Sequence, residues 1–170
     1  MDHSCTDDVR QALEDYKNAV ASAPDAGAAF RIAEQAAARL IGHQLFTIMA
    51  FHAETMEVER CHSSNPDKYP TGGRKQKRDT AWGHHVLEQG QHYIGYNADD
   101  IRRSFDDHAV IQDLGLESVL NIPIEENGRA VGTMNLLDKA GYYHEGQVDI
   151  ARVIANTLAG VLQNRSSQRR

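Results

Sequence analysis

The sequence predicts an α+β domain: a mostly antiparallel sheet with helices on its faces. Helical periodicity marks both ends of the chain, strands arrive as neighbouring pairs with short turns, and helices are too sparsely interleaved for a doubly wound parallel sheet. The order reads helix, helix, strand, strand, helix, strand, short helices, strand, strand, helix.

Taken in order, Thr6 is positioned to cap a first helix with Asp7 and Asp8 in its first turn, and Val9, Leu13, Tyr16 and Val20 recur at helical spacing down to Ala23. Pro24 breaks it. Asp25 caps a second helix, Ala26 to Ile41, with Phe30, Ala33, Ala37 and Leu40 on one face and Gly42 as its stop. Leu45 to His52 and Glu57 to Ser64 read as a strand pair. The connection from Ser64 to Asp79 carries two prolines, two glycines and five basic residues, a composition suited to a functional lid or a mobile loop. Thr80 caps a helix running through Gln89 to Gly90, "QHYIGY" is a short strand, and helical pieces follow at Ile101 to Phe105 and His108 to Leu114. After the hairpin Ser118 to Asp138, an amphipathic helix from Glu145 to Asn164 turns Val148, Ala151, Ile154, Ala155, Leu158 and Leu162 inward. Residues 1–24 form an N-terminal helix, 25–164 the domain proper, and 165–170 a frayed tail.

The chain of 170 residues suits one domain with a real core and no disulfides. A net charge of −6 argues against a dedicated nucleic-acid binder, and no apolar run reaches transmembrane length. With a polar, acidic N-terminus unlike a signal peptide and only Cys5 and Cys61, a cytoplasmic protein with two free thiols is expected.

The hairpin "SVLNIPIEENGRAVGTMNLLD" carries the most information. Side chains alternate along a strand, so Leu120, Ile122 and Ile124 share a face with no polar member, while Val119, Asn121 and Pro123 share the other. In the second strand Gly132, Met134 and Leu136 oppose Val131, Thr133, Asn135 and Leu137. The apolar sets fall on one side only when paired residue numbers sum to an even value. A two-residue Asn127–Gly128 turn gives odd sums. A three-residue loop, Glu126 to Gly128 with Gly128 in a bulge, gives even sums and sets Glu125 opposite Arg129. One face is then apolar throughout, and the other gathers Val119, Asn121, Thr133 and Asn135. Buried amides need partners, found either in neighbouring protein groups or in a polar ligand.

The stretches "AFRIAEQAAARLIGHQLFTIMAF", "TAWGHHVLEQGQHYIGYN", "LGLESVLNIPIEENGRAVGTMNLLD" and the closing helix together resemble the GAF domain, a sensory relative of the PAS fold, and in particular small stand-alone bacterial GAF proteins. The resemblance implies a central antiparallel sheet of five or six strands with the terminal helices on one face and short helices and loops over a ligand pocket on the other. It implies Trp82, His85, Tyr96 and Phe105 as pocket walls and Asn121, Thr133 and Asn135 as polar contacts. The class binds cyclic nucleotides, tetrapyrroles, haem, amino acids and organic acids, so the family leaves the cofactor or ligand unidentified. Free methionine sulfoxide reductases of this kind need loop cysteines, absent here from Ser64 to Glu117, and acids where this chain has Val119, Asn135 and Leu137. Cys61-His62 lies too far upstream for the chromophore-attaching pair of bilin-binding members. Of the phosphodiesterase signature only Asn135 and Asp138-Lys139 are present.

Nine histidines, among them His84, His85, His92, His108 and His144, lack metal-ligand spacing, and no metal site is expected. No GxSxG, P-loop or GxGxxG is present, and Asp106, Asp107 and His108 read as surface groups near a helix start, so a non-enzyme is expected. The run "RKQKR" places Arg74, Lys75, Lys77 and Arg78 in a lid that approaches an anionic ligand. The expectation is a sensor of a small polar or anionic metabolite that reports to an output partner, with a homodimer through the terminal helices. The alternative is an interaction module with a vestigial pocket, in which Leu13, Tyr16 and Val20 are half-buried between subunits.

Overall fold

The computed structural model describes residues 3–168. Six strands form one antiparallel sheet in the order β3-β2-β1-β6-β5-β4: β1 Leu45–His52, β2 Glu57–Ser63, β3 Arg74–Gln76, β4 Tyr93–Gly95, β5 Ser118–Glu126 and β6 Arg129–Asp138. One face is covered by α1 His3–Ala21, α2 Ala26–Leu40, α5 Val148–Asn156 and α6 Ala159–Gln168. The other lies under a π-helical segment Gly83–Glu88, α3 Ala98–Ser104 and α4 His108–Asp113.

Several elements follow the expected chemistry. Asp25 Oδ1 accepts from Ala28 N at 2.8 Å, capping α2, and Gly42 in the left-handed region ends it through N–H donation to Ala37 O at 2.8 Å. Thr80 Oγ1 accepts from Gly83 N at 2.9 Å, opening the helical turn over the mixed face. At Gly83 a Cβ would run into the carbonyl of Lys77, so only glycine lets this turn close on the chain before it.

Other expectations need correction. The first helix starts by His3, so Thr6 lies inside it and caps nothing. The long connection is not wholly irregular: Arg74–Gln76 pairs with β2 as the edge of the sheet. The closing helix is broken at Thr157–Leu158, where Thr157 Oγ1 donates back to Val153 O at 2.7 Å, a side-chain bond that competes with the helical ladder. In place of a frayed tail from residue 165, α6 continues to Gln168 and Arg165 donates to Glu59 at 3.0 Å; residues 169 and 170 lie outside the described residues. Leu13, Tyr16 and Val20 do not wait for a partner subunit: they pack into the core of this chain, with the Tyr16 hydroxyl donating to Ile154 O at 2.6 Å.

The hairpin obeys parity by a different device. Asn127 and Gly128 are both left-handed, φ 52° and 77°, forming the two-residue turn that Asn-Gly favours, and Glu126 pairs with Arg129. Glu125 opposes Ala130, not Arg129. A bulge then leaves Val131 unpaired between the Ala130 and Gly132 pairings, and the rest of the ladder runs with even sums, Asn121 opposite Asn135. The turn takes its best local chemistry, and the bulge restores the burial pattern.

Candidate functional site

Strand pairing sets Asn121 beside Asn135 and Asn135 beside Thr47, all on the mixed face. The π-helical segment lowers Trp82 onto them. The indole Nε1–H donates to Asn121 Oδ1 at 3.0 Å, Asn121 Nδ2 to Asn135 Oδ1 at 2.7 Å, and Asn135 Nδ2 to Thr47 Oγ1 at 3.1 Å. All four residues are buried, so each bond removes an unsatisfied group costing ~1–3 kcal/mol. An amide has two N–H groups, and each asparagine spends one on this relay.

The relay forms the floor of a cavity. Thr47, Met49, Val119, Asn121, Asn135 and Leu137 supply the sheet side, with Trp82, Phe105 and Ile111 above. Phe105 meets Trp82 edge to face at 6.1 Å between centroids. The volume open to water centres is about 40 Å³, room for a few waters.

One rim of the cavity is charged. Arg60, Tyr69, Lys75, Lys77 and Asp107 line it. The Tyr69 hydroxyl donates to Asp107, Lys75 Nζ stands 3.2 Å from Asp107 Oδ2 and Arg60 Nη2 3.9 Å from it. The Arg60 guanidinium also lies 3.6 Å over the Tyr69 ring and donates through Nη1 to Pro70 O at 2.8 Å. Its Nε is buried with no hydrogen-bond partner. Lys77 is only 8% exposed and has its Nζ 5.3 Å over the Trp82 ring. Burial lowers the Lys77 pKa, and neighbouring Lys75 adds to the effect against the pull of Asp107 and Asp106. Burial works to raise the Asp107 carboxyl, but the Tyr69 hydroxyl and the Lys75 ammonium outweigh it and hold the group below the usual carboxylate range. Burial, then the Asp107 charge, push the Tyr69 hydroxyl up.

A second bulge builds this rim. Between β1 and β2 the pairing runs Ile48 with His62, then Met49 with Arg60, leaving Cys61 as the extra residue. Arg60 therefore faces the cavity while His62 packs with Phe30 and Phe46 on the helix side, although strand parity alone would put both on one face. Cys61 packs towards the helix-side core. Along β3 and just beyond it, alternation turns Lys75 and Lys77 to the cavity, while Arg74 reaches Glu59 at 3.4 Å and Glu57 at 3.8 Å.

Of the residues singled out from the sequence, the structure brings Trp82, Phe105, Asn121, Asn135, Lys75 and Lys77 to one cavity. The others stand elsewhere. His85 is tied to the His92 carbonyl at 2.7 Å, Tyr96 is 47% exposed, Arg74 staples the sheet edge, and Arg78 is exposed with its N–H on Gln76 Oε1 at 2.8 Å. Thr133 is fully buried with no partner for Oγ1 and does not reach the cavity wall. Sequence reasoning passed over Thr47, Arg60, Tyr69 and Asp107. Thr47 was discoverable as the lone polar residue on its face of an apolar strand. Arg60 was hidden by the bulge, Tyr69 by an irregular connection, and Asp107 by its resemblance to a cap. Among the described residues no cluster of three His, Cys, Asp or Glu side chains forms a metal site, and no helix is long and apolar enough to cross a membrane.

A family model for the GAF domain matches residues 23–163. Among solved structures, the GAF domain of a phosphoenolpyruvate-protein phosphotransferase from Acinetobacter superposes with a TM-score of 0.76 at 14% identity, covering 94% of this chain and 96% of that one. The corresponding domain from Coxiella burnetii gives 0.76 at 15% identity, covering 94% and 95%. The chromophore-binding domain of a bacteriophytochrome from R. palustris gives 0.70 at 14%, covering 95% and 63%. At these identities the likeness is one of fold. No curated protein matches the sequence.

Proposed function

The chain belongs to the GAF domain family, and on that premise we propose that it is a non-catalytic sensor of a small polar or anionic metabolite, bound in the cavity between the mixed face and the segment from Tyr69 to Asp113. It acts in the cytoplasm and passes its state to an output partner or to a second copy through the terminal helices. The observation that carries the reading is the buried Trp82–Asn121–Asn135–Thr47 relay, which floors a cavity whose rim holds more cations than carboxylates. A face needed only for packing gains nothing from amides and cations that apolar side chains would replace at lower desolvation cost. In the contracted cavity the roof residues Trp82 and Phe105 fill the space, and ligand selects an arrangement in which they have moved.

Native mass spectrometry of the protein purified from cells, followed by denaturation and identification of what is released, tests this. A stoichiometric small molecule, lost from a folded Asn121→Leu variant, is expected. An empty protein that also fails to respond to a broad metabolite screen would move the reading to an interaction module.

A further inference from the structure

The sensor reading leaves the ligand's chemistry open, and the charged rim narrows it. Asp107 precedes α4 at the N-cap position, yet its side chain makes no capping bond, whereas Asp25 and Asn97 cap α2 and α3 in the ordinary way. Its carboxylate turns instead into the cavity, onto the Tyr69 hydroxyl, Lys75 and Arg60. Among the described residues it is the one acid on the cavity wall, where Arg60, Lys75 and Lys77 supply the cations. The donors exceed what this acceptor satisfies. Arg60 Nε is buried without a partner, and Lys77, its Nζ over the Trp82 ring, forms no ion pair with a carboxylate among the described residues. One orphaned donor and a surplus of cations, converging on one rim of a cavity, call for an oxyanion larger than the single carboxylate now present.

We propose that Asp107 is an internal stand-in for the ligand, and that the site takes a compact carboxylate-bearing small molecule which displaces Asp107 from Arg60, Lys75 and Tyr69 and frees the start of α4. The proposal rests on the sensor reading and adds the ligand class and the moving part. The carboxylate of the incoming molecule occupies the place of the Asp107 carboxylate, and its remaining polar atoms reach the Asn121–Asn135 floor. Lys77, over the Trp82 ring, faces the space between. A carboxylate suits the rim because Arg60 and Lys75 already hold one there. The device is inexpensive to operate, because α3 and α4 have 7 and 6 residues and depend on packing rather than on their own helical stability. Displacement of Asp107 removes the charged link between α4 and β2 and leaves Ile111 as the buried anchor.

A site blocked by its own carboxylate has its apparent affinity reduced by the fraction of molecules in which it is open. Calorimetric titration with malonate, and separately with acetate and inorganic phosphate, reads that fraction in the wild type and in Asp107→Asn. Malonate binding at least about tenfold tighter in Asp107→Asn is expected, and it is lost again when Lys75→Met is added. Asp107→Ala, which removes the competing carboxylate and leaves Tyr69 and the cations in place, should give a similar gain and serves if Asp107→Asn fails to fold. In the wild type, saturating malonate should speed amide exchange over residues 107–113, which a purely structural Asp107 does not predict. Folded variants that bind malonate no tighter than the wild type overturn the proposal, and phosphate binding with no carboxylate binding overturns the ligand class. If native mass spectrometry finds a neutral ligand lost in Asn121→Leu while the Asp107 variants gain nothing, the stand-in fails and the sensor stands. If no ligand appears by either route, the sensor reading fails as well.

Discussion

Neighbouring residues on the same strands meet opposite demands. On the helix side, Phe46, Ile48, Leu120, Ile122, Ile124, Met134 and Leu136 are fully buried beneath α1, α2, α5 and α6. One residue along, on the cavity side, stand Thr47, Asn121, Thr133 and Asn135, buried almost as deeply but polar. Four of the five orphaned polar atoms among the described residues follow the same division: Arg60 Nε and Thr133 Oγ1 belong to the cavity face, and His108 Nδ1 and Gln112 Nε2 to the helix that covers it, while Glu126 Oε2 lies at the hairpin turn. The helix side stabilises the sheet by close packing, which leaves the other side able to carry under-satisfied polar groups. On the proposed sensor reading, stability and responsiveness are held on different faces of one sheet.

Substitutions on the two faces should differ in size and in kind. Ile122→Ala removes a fully buried side chain from the helix-side core and should cost about 2–5 kcal/mol in urea unfolding. A cost under about 1 kcal/mol would mean that the helix side is not the stabilising one. Asn121→Leu strands the Trp82 indole N–H and the Asn135 carbonyl, and should cost ~1–3 kcal/mol. It should also shift tryptophan fluorescence, since Trp82 is the one tryptophan of the chain. An unchanged spectrum would break the link between floor and roof.

The same division governs what could be read from the sequence. The helix side was legible because burial imposes period two on strands and the helical period on α2 and α5, as Ile122, Met134, Ala33 and Ile154 show. The floor was legible for a related reason: amides at Asn121 and Asn135 interrupt apolar runs, and parity alone sets them on one face. The rim was not. Arg60 reaches the cavity only because Cys61 is bulged, and Asp107 because its carboxylate forgoes the cap. Both depend on tertiary context, which outweighs local preference. The hairpin shows parity deciding which face is buried without deciding the turn, since a bulge at Val131 allowed Asn127–Gly128 its preferred geometry.

Lys77 sharpens the comparison by reversing the usual sign. It is buried with burial lowering its pKa, and no carboxylate pairs with it among the described residues. Lys77→Met keeps the stem against Trp82 and removes the desolvated charge, so it should raise stability by about 0.5–2 kcal/mol. The same variant should weaken malonate binding. A destabilised Lys77→Met would show instead that the ammonium supports the fold.

The smallest effect is expected from pH. The Asp107 carboxyl is held below its ordinary value of 3.8 by Tyr69 and Lys75 in spite of burial. Between the ordinary value and the lowered one, the unfolded chain binds a proton that the folded chain does not. Ionised Asp107 therefore contributes stability in full above the ordinary value, and that contribution fades as pH falls through the lowered one. Other carboxyl groups of the chain contribute to the acid response as well, so the wild type alone is uninformative. The difference in unfolding free energy between the wild type and Asp107→Asn isolates the group, because titrations common to both cancel. That difference should be steady from about pH 7 to about pH 5 and should shrink on acidification below about pH 4. The carboxylate would then be a held ion on the cavity rim, as a stand-in for a ligand must be. A difference that stays flat to low pH would mean that Asp107 gains nothing from Tyr69 and Lys75, and the rim would no longer differ from ordinary surface charge.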